Sequence, residues 1–317
     1  MQASETIPGF TCRSILPPLR VSFLRATFAG QVLFTGSFEN GQSEFDDATF
    51  SASVRFRGVP FSSISFARCR FLGDLDFIGS HCVAANFVGA EFVGEADFSN
   101  RHFKGRTLFT DARFHRAPLL HGATLHHDTS FREDSFPSTA EGNGVASRAY
   151  RTLKLAMNKS QATREELFFA RLEMREEEAE LLRSRVPRRT MRGILYWLYG
   201  FFADYGFSAL RPLIFLLLAW TFGAGFAALS PGELGGLASR SDVGDRLLQW
   251  FTFSAMHGLP VAGLDNAVQG LGSALFTDYK AIARNPWFGI ALGADKTMTV
   301  VFVFLIGLGL RNHFKMR

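Results

Sequence analysis

A phenylalanine recurs every five or six residues through most of the first half of the chain. In FVGAEFVGEADFSNRHF, residues 87–103, phenylalanine occupies positions 87, 92, 98 and 103. Amphipathic helices repeat apolar residues every three or four positions and half-buried strands every two, so neither element produces this spacing. A fixed short period is instead typical of a solenoid, whose stacked coils bury one continuous core.

The same period runs from about residue 23 to residue 131 and predicts which side chains form the core. Two positions before many of the phenylalanines stands a small residue, as at Ala85, Ala90 and Ala96. We expect both positions to point inward and the residues between them to face water. The predicted core phenylalanines are Phe50, Phe56, Phe61, Phe66, Phe77, Phe87, Phe92, Phe98, Phe103, Phe109 and Phe114.

This motif resembles that of the pentapeptide-repeat family, A-(D/N)-(L/F)-x-x, which ANFVGAEFVGEADFSN (residues 85–100) matches closely. The resemblance implies a right-handed quadrilateral β-helix with four repeats in each coil, and therefore about five coils here. In FTGSFENGQSEF, residues 34–45, Phe38 arrives one residue early and Glu39 takes the expected core position. We expect a bulge or a loop at this point.

Changes in composition divide the chain into three predicted domains. Residues 1–138 form the β-helix, residues 139–187 a cytoplasmic pair of helices, and residues 188–317 an α-helical membrane domain with two spans. The second helix of the pair is rich in acids, which we interpret as a solvated face and not as paired catalytic carboxylates. These acids are Glu173, Glu176, Glu177, Glu178 and Glu180.

Long apolar runs first appear in the last third of the chain. The uncharged run 212–229 is just long enough to cross a hydrocarbon core, so we predict a span over 211–229, preceded by an interfacial helix over 190–206. A second run predicts a span over 297–312, with Asp295 and Lys296 at its boundary. Between them, 246–260 is too short to span and is either a helix on the outer surface or a re-entrant helix.

Basic residues before the first span and after the second favour cytoplasmic N- and C-termini, with residues 231–295 outside. The C-terminal part also resembles bacterial membrane-attached pentapeptide-repeat proteins, on LYWLYGFFADYGFSALRPL (195–213) and GLGLRNHFKMR (307–317). The resemblance and the spans together imply a multi-pass protein of the bacterial inner membrane, in contact with membrane lipid.

Small and polar residues in the predicted membrane domain suggest an assembly. Gly223 and Ala227 lie four residues apart, a spacing that lets membrane helices approach closely, so we expect a homo-oligomer. In that assembly Gln249, Ser254 and His257 of the 246–260 helix are expected to face a shared polar centre and line a pore.

The sequence carries no motif that predicts catalysis or a cofactor. It has no P-loop, no G-x-S-x-G, no H-E-x-x-H and no dinucleotide-binding fingerprint. His115, His121 and His126 each follow a core position by one residue, so they are expected to diverge and not to bind a metal. Cys69 and Cys82 fall on core positions and are interpreted as small apolar side chains.

These observations favour a membrane-tethered, non-enzymatic scaffold whose cytoplasmic β-helix binds a protein partner that the sequence does not identify. The alternative is a homo-oligomeric two-span ion channel or sensor, in which the β-helix assembles or gates the pore. A DNA mimic needs a strongly acidic surface, whereas residues 1–131 contain 12 Lys/Arg and 12 Asp/Glu. Binding to nucleic-acid machinery or to nucleic acid is therefore not expected.

Overall fold

The computed structural model describes residues 6–13, 20–137, 139–141, 144–228, 243–259, 264–275 and 286–315. The chain divides into two compact units, Met1–Trp197 and Leu198–Arg317. The first unit contains the described strands, the two helices that follow them and the start of a third helix, and the second unit is helical.

The strands of the first unit are short, because the chain turns a corner after every few residues. They are β1 (Thr6–Ile7), β2 (Phe10–Arg13), β3 (Arg20–Ser22), β4 (Thr27–Phe28), β5 (Val32–Thr35), β6 (Phe38–Glu44), β7 (Thr49–Phe50), β8 (Val54–Arg55), β9 (Phe61–Ser65), β10 (Arg70–Phe71), β11 (Leu75–Asp76), β12 (His81–Asn86), β13 (Glu91–Phe92), β14 (Ala96–Asp97), β15 (His102–Phe103), β16 (Thr107–Leu108) and β17 (Arg113–Phe114).

These strands form three parallel sheets that run along a β-solenoid of about five coils. The first sheet has the order β1-β4-β7-β10-β13-β17, the second β2-β5-β8-β11-β14, and the third β3-β6-β9-β12-β15. The longer strand β12 turns a corner and pairs with both β15 and β16. Paired residues such as Phe50 with Phe71, and Phe92 with Phe114, lie 21 or 22 residues apart, so one coil holds four repeats of about five residues.

Two corners of each coil contain a residue with positive φ, in the left-handed backbone region, two positions after a core side chain, and at one of them the next residue, Ser80, has a positive φ too. Glycine adopts this region freely, whereas aspartate and asparagine are the other residues most often found there. The first corner, which leads into the first sheet, contains Arg25, Asp47, Arg68, Gly89 and Asp111, with φ of 56° to 66°. The second, which leads into the third sheet, contains Gly36, Gly58, Gly79, Asn100 and Gly122.

Phenylalanine rings stack in columns along the axis of the solenoid. The eleven core phenylalanines named from the sequence are all buried, none more than 3% exposed. Neighbouring rings lie 4.7–5.5 Å apart, close to the spacing between strands, because each coil repeats the same register. The first aromatic column contains Phe28, Phe50, Phe71, Phe92, Phe114 and Phe136, and the second contains Phe23, Phe45, Phe66, Phe87, Phe109 and Phe131.

The predicted irregularity near Phe38 is a β-bulge. The register between β6 and β9 shifts between Phe38, which pairs with Phe61, and Gln42, which pairs with Ser63. Phe38 is 1% exposed, so the bulge absorbs the early phenylalanine while its ring stays in the core. The side chain of Glu39 lies outside the described residues.

Two helices close the C-terminal end of the solenoid. After a short 3-10 turn (Glu133–Ser135), helix α1 (Gly144–Lys159) and helix α2 (Thr163–Arg183) pack against each other. Phe169 of α2 contacts the last rings of both columns, with centroids 5.7 Å from Phe131 and 5.1 Å from Phe136. The helical pair therefore extends the aromatic core and covers an end that would otherwise expose it.

The remaining described helices are α3 (Pro187–Ala203), α4 (Leu210–Ala228), α5 (Val243–Gly258), α6 (Asp265–Leu275) and α7 (Pro286–Lys315), with a 3-10 turn at Asp204–Gly206. Within α7, the segment Gly289–Lys315 is long and apolar enough to cross a membrane. A second crossing would use Pro187–Gly206 and Leu210–Gly223 together, between which the chain bends by 118°.

The last helix contains the predicted span and extends beyond it. It begins at Pro286, eleven residues before the predicted start of the span at 297, and runs through Asp295 and Lys296 without interruption. Asp295 is 8% exposed, since it packs against α5, so its charge does not mark the end of the apolar helix.

Candidate functional site

The outer faces of the solenoid carry ladders of charged side chains. On the first sheet, Arg70 Nε donates to Glu91 Oε2 at 2.9 Å, and His115 Nε2 lies 3.2 Å from Glu91 Oε1. The Arg70 guanidinium holds the pKa of the Glu91 carboxyl below its usual range. Because successive coils stack in register, the outer face of the first sheet presents a row of side chains of both charges.

The second sheet carries a shallow groove with more acids than bases. Its volume is about 230 Å³, and Arg57 at its edge forms an ion pair of 3.0 Å with Asp76. Burial and the neighbouring carboxylates of Asp97 and Asp74 raise the pKa of Glu95. The acids that line the groove are Asp74, Asp76, Glu95 and Asp97.

The histidines near the end of the solenoid do not come together as a metal centre. His115 is engaged with Glu91, and His121 belongs to no cluster of potential ligands among the described residues. His126 instead forms a cluster with His127 and Asp128, whose ligand atoms lie within 4.8 Å of one another. Two of these three residues are exposed, and His126 Nδ1 accepts a hydrogen bond from the Asp128 backbone N–H.

Both core cysteines are protonated thiols at neutral pH. Burial raises the pKa of Cys69 far above its usual range and that of Cys82 to about 12. The Cys69 thiol donates to the carbonyl oxygen of Phe45 at 2.7 Å. These environments disfavour thiolate chemistry.

Arg101 is a charged residue that sequence reasoning missed. It is fully buried in the solenoid core, where its guanidinium donates to the carbonyl oxygens of Phe77, Val59 and Phe56 at 2.8, 2.6 and 3.1 Å. Burial lowers the pKa of Arg101 to about 10, so the guanidinium remains charged at neutral pH. The sequence signal was its position two before Phe103, where other repeats carry a small residue.

The smaller Cys82 explains how the core accommodates this arginine. Cys82 pairs with Phe61 on one side and with Phe103 on the other, in a position that both neighbouring coils fill with phenylalanine. The Phe77 ring stacks with both Phe61 and Phe103, at centroid distances of 5.8 and 6.4 Å. The Cζ atom of Arg101 lies 3.9 Å from the centroid of the Phe77 ring, which is a cation–π contact.

The acidic face of α2 is not wholly solvated, which corrects the sequence interpretation. Glu173 is 6% exposed and forms ion pairs with Arg151 and Lys154 of α1, at 2.6 and 2.5 Å. Glu176, 3% exposed, accepts a hydrogen bond from the backbone N–H of Glu141. These two acids hold α2 against the rest of its unit.

In the second unit, a polar contact joins helices that are otherwise apolar. Ser254 of α5 donates from Oγ to Oδ2 of Asp295 on α7 at 3.2 Å, and both side chains are buried. A Cβ at Gly223 of α4 would lie 2.5 Å from Ser254 Oγ and 3.3 Å from Asp295 Oδ1. Gly223 therefore lets three helices of one chain meet at this point, which we call the Asp295 junction.

A second contact of the same kind lies one turn along α7. Thr299, which is fully buried, accepts a hydrogen bond from Trp220 Nε1 of α4 at 3.0 Å. A Cβ at Gly258 of α5 would lie 2.3 Å from Thr299 Oγ1, so this glycine is also required for the close approach. Together the two contacts fix α4, α5 and α7 against one another.

The three residues predicted to line a pore have different surroundings within the chain. Ser254 donates a hydrogen bond to Asp295 of the same chain. Gln249 is exposed, and His257 is partly buried, with its ring centroid 6.2 Å from that of Phe253. Gly223, predicted to pack between subunits, contacts helices of its own chain, and the side chain of Ala227 lies outside the described residues. A shared polar centre remains a prediction.

A pocket of about 500 Å³ opens beside the Asp295 junction. Its walls are formed by α4, α5, α7 and the end of α3, and they are almost entirely apolar except for Ser254 and Asp295. The apolar lining residues are Phe202, Phe215, Leu218, Ala219, Phe222, Gly223, Phe253, Ala291, Leu292, Ala294, Met298 and Phe302.

Comparison with known proteins supports the solenoid at the level of its repeat. Residues 38–81 match the family model described as pentapeptide repeats (9 copies), which covers β6 to the start of β12. No curated protein and no solved structure matches the chain. The solenoid therefore carries pentapeptide repeats, while the membrane-attached type inferred from the C-terminal motifs remains a prediction.

Proposed function

We propose that the protein is a membrane-tethered, non-enzymatic interaction module, in which the solenoid binds a cytoplasmic partner protein. The solenoid supports binding because its three parallel sheets stack successive coils in register, so their outer faces present side chains at regular intervals. Its charges are balanced, and several of them form ion pairs on the surface, which favours a protein partner of mixed charge over nucleic acid.

The main support for attachment to a membrane is the exposed apolar surface of the second unit. Only 17% of the most apolar part of Gly289–Lys315 is buried, whereas the core helix of a soluble protein is mostly buried. Many exposed apolar side chains on two packed helices mark a contact with lipid or protein. Exposed apolar residues of α4 and α7 include Leu213, Ile214, Leu217, Leu218, Phe222, Ile290, Val300, Val301, Val303 and Phe304.

The proposed orientation places the solenoid and the C-terminus in the cytoplasm of a bacterium. Basic residues at the start of α3 and at the end of α7 support it through the positive-inside tendency. These residues are Arg188, Arg189, Arg192, Arg311 and Lys315.

The test for partner binding is site-specific photo-cross-linking in cells. A cross-linking amino acid is placed at Leu33 and at Arg55, which pair in adjacent coils of the second sheet, and at Arg70 and Arg113 on the first. A partner that docks on one face gives the same adduct from both positions of that face and not from the other pair. If none of the four positions yields an adduct with another polypeptide, the outer faces of the first and second sheets do not bind a partner.

A channel or sensor is the second candidate, and the Asp295 junction is the observation that favours it. Polar and ionisable residues among membrane helices commonly mark ion pathways. The candidate requires a homo-oligomer, and ion flux from liposomes containing the full chain tests it. If the protein is a monomer in mild detergent and gives no ion flux, the channel is excluded and the tethered module is the remaining candidate.

A further inference from the structure

The Asp295 junction leaves one buried carboxylate oxygen without a partner. Oδ2 of Asp295 accepts the hydrogen bond from Ser254, but Oδ1 has no hydrogen-bond partner among the residues that the structure describes. The side chain is 8% exposed and lines the 500 Å³ pocket. A buried carboxylate is costly unless it is paired, so this oxygen is a site for a donor or a cation.

The pocket is poorly suited to a bare metal ion. It offers three oxygen atoms, two from Asp295 and one from Ser254, and its other lining side chains are apolar. Calcium takes six to eight oxygen ligands, and magnesium keeps an octahedral shell with several waters. Zinc needs histidine or cysteine in addition to carboxylate, and neither residue lines the pocket.

The walls suit an organic cation instead. Five phenylalanine rings line the pocket, and ring faces attract ammonium groups while also packing against hydrocarbon. The volume lies within the usual range for small-molecule sites, about 300–1,000 Å³. The five rings belong to Phe202, Phe215, Phe222, Phe253 and Phe302.

We propose that this pocket binds a lipophilic primary or secondary ammonium compound. Its N–H group donates to Oδ1 of Asp295, and its apolar body extends along α7 toward Phe302. These two residues lie seven positions apart, or about 10 Å along a helix, which sets the length of the apolar body. A quaternary ammonium has no N–H group, so it satisfies the charge but not the hydrogen bond.

Access to the pocket is from the side of the helical unit. Leu218 and Phe222 of α4 line the pocket and are 55% and 78% exposed. A ligand dissolved in lipid or in a detergent micelle therefore reaches the carboxylate between these side chains. The inference depends only on contacts within the second unit, so it stands apart from the role proposed for the solenoid.

The test measures binding of radiolabelled 4-phenylbutylamine to the full chain in mild detergent, by equilibrium dialysis against empty micelles. We expect saturable binding at one site per chain, and binding at least tenfold weaker for Asp295→Asn, which keeps a hydrogen-bond acceptor for Ser254. Asp204→Asn removes a carboxylate elsewhere in the same unit and is expected to bind as wild type. Tryptophan fluorescence melts check that each variant is folded.

Two analogues and a second pair of variants complete the design. Neutral 4-phenylbutanol is expected to bind at least tenfold more weakly than the amine, and the trimethylammonium analogue is expected to fall between them. Ala291→Trp fills the pocket and should abolish binding, while Gly293→Trp, at an exposed position of α7 with open space around it, should not.

Several results overturn the proposal. Equal binding to wild type and Asp295→Asn shows that the carboxylate plays no part, and alcohol binding as tight as amine binding shows an apolar pocket only. If no saturable binding is found, or if binding persists in Ala291→Trp, the pocket is not the binding site. If Asp295→Asn does not fold, the analogue series and the two tryptophan variants decide the question.

Discussion

In the solenoid the same aromatic contact recurs in each coil, whereas in the helical unit each polar contact between helices occurs once. The first aromatic column repeats a ring stack every 21 or 22 residues. The contacts of the helical unit join single residues far apart in the chain, such as Ser254 with Asp295 and Trp220 with Thr299.

This difference has consequences for function. A repeated core gives a rigid rod whose outer faces are free to vary, which suits a binding surface. A junction made of unique contacts can instead build a pocket around one side chain. The two proposals follow this difference: partner binding is proposed for the solenoid and ligand binding for the helical unit.

The largest expected effect is on the repeated core. Phe87 stacks between Phe66 and Phe109, so Phe87→Ala leaves a cavity and should destabilise the solenoid by about 3–5 kcal/mol. Phe222→Ala in the helical unit, where the ring is 78% exposed, should change its stability by less than about 0.5 kcal/mol. Hydrogen exchange of the full chain in detergent, resolved by peptide, measures both; equal effects would contradict the comparison.

Arg101 is the exception within the repeated core and sharpens the comparison. Arg101→Met keeps much of the side-chain volume but removes the donors to the buried carbonyl groups, which should cost roughly 2–4 kcal/mol. Arg106→Met changes an exposed arginine in the same coil and should have little effect. Chemical denaturation followed by far-UV circular dichroism compares the two variants. A stable Arg101→Met protein would mean that the arginine is not required for packing.

Gly223 tests the unique contacts of the helical unit. Gly223→Ala places a methyl group 2.5 Å from Ser254 Oγ, so we expect a loss of about 1–3 kcal/mol. Gly307→Ala on α7 has open space around it and should be neutral or slightly stabilising, because alanine favours helix. Tryptophan fluorescence reports mainly on the helical unit, since Trp220, Trp250 and Trp287 belong to it and the fourth tryptophan, Trp197, lies at its boundary. Equal melting temperatures would show that the junction tolerates separation of the helices.

The repeated core could be predicted from the sequence because the same spacing of phenylalanines occurs in each coil. The burial of Arg101 could not be predicted. It depends on the small Cys82 in the preceding coil and on the Phe77 ring, which stacks with Phe61 and lies under the guanidinium. The burial of Asp295 could not be predicted from its charge alone, because it depends on Ser254, which lies 41 residues earlier. Burial of Glu173 was missed for the same reason: its partners Arg151 and Lys154 lie on another helix.

The charged side chains on the outer faces of the solenoid should contribute least to its stability. The Arg70 guanidinium lowers the pKa of Glu91 in the folded state, so the stabilisation is present above the usual glutamate range and is lost as pH falls through the lowered value. Because the pair is largely exposed, Glu91→Gln should cost less than about 1 kcal/mol at low salt and less again at high salt. Denaturation at pH 7 and pH 3, at two salt concentrations, measures this. An effect that grows with salt would contradict a screened surface pair.

The most direct test of the tethered module is flotation of bacterial membranes through a density gradient after an alkaline carbonate wash. Flotation separates inserted protein from aggregates, and the wash removes proteins held at the surface. We predict that the full chain floats with the lipid, and that residues 1–197, which form the solenoid unit, stay at the bottom of the gradient. A full chain that remains with the soluble or aggregated fraction would contradict the account.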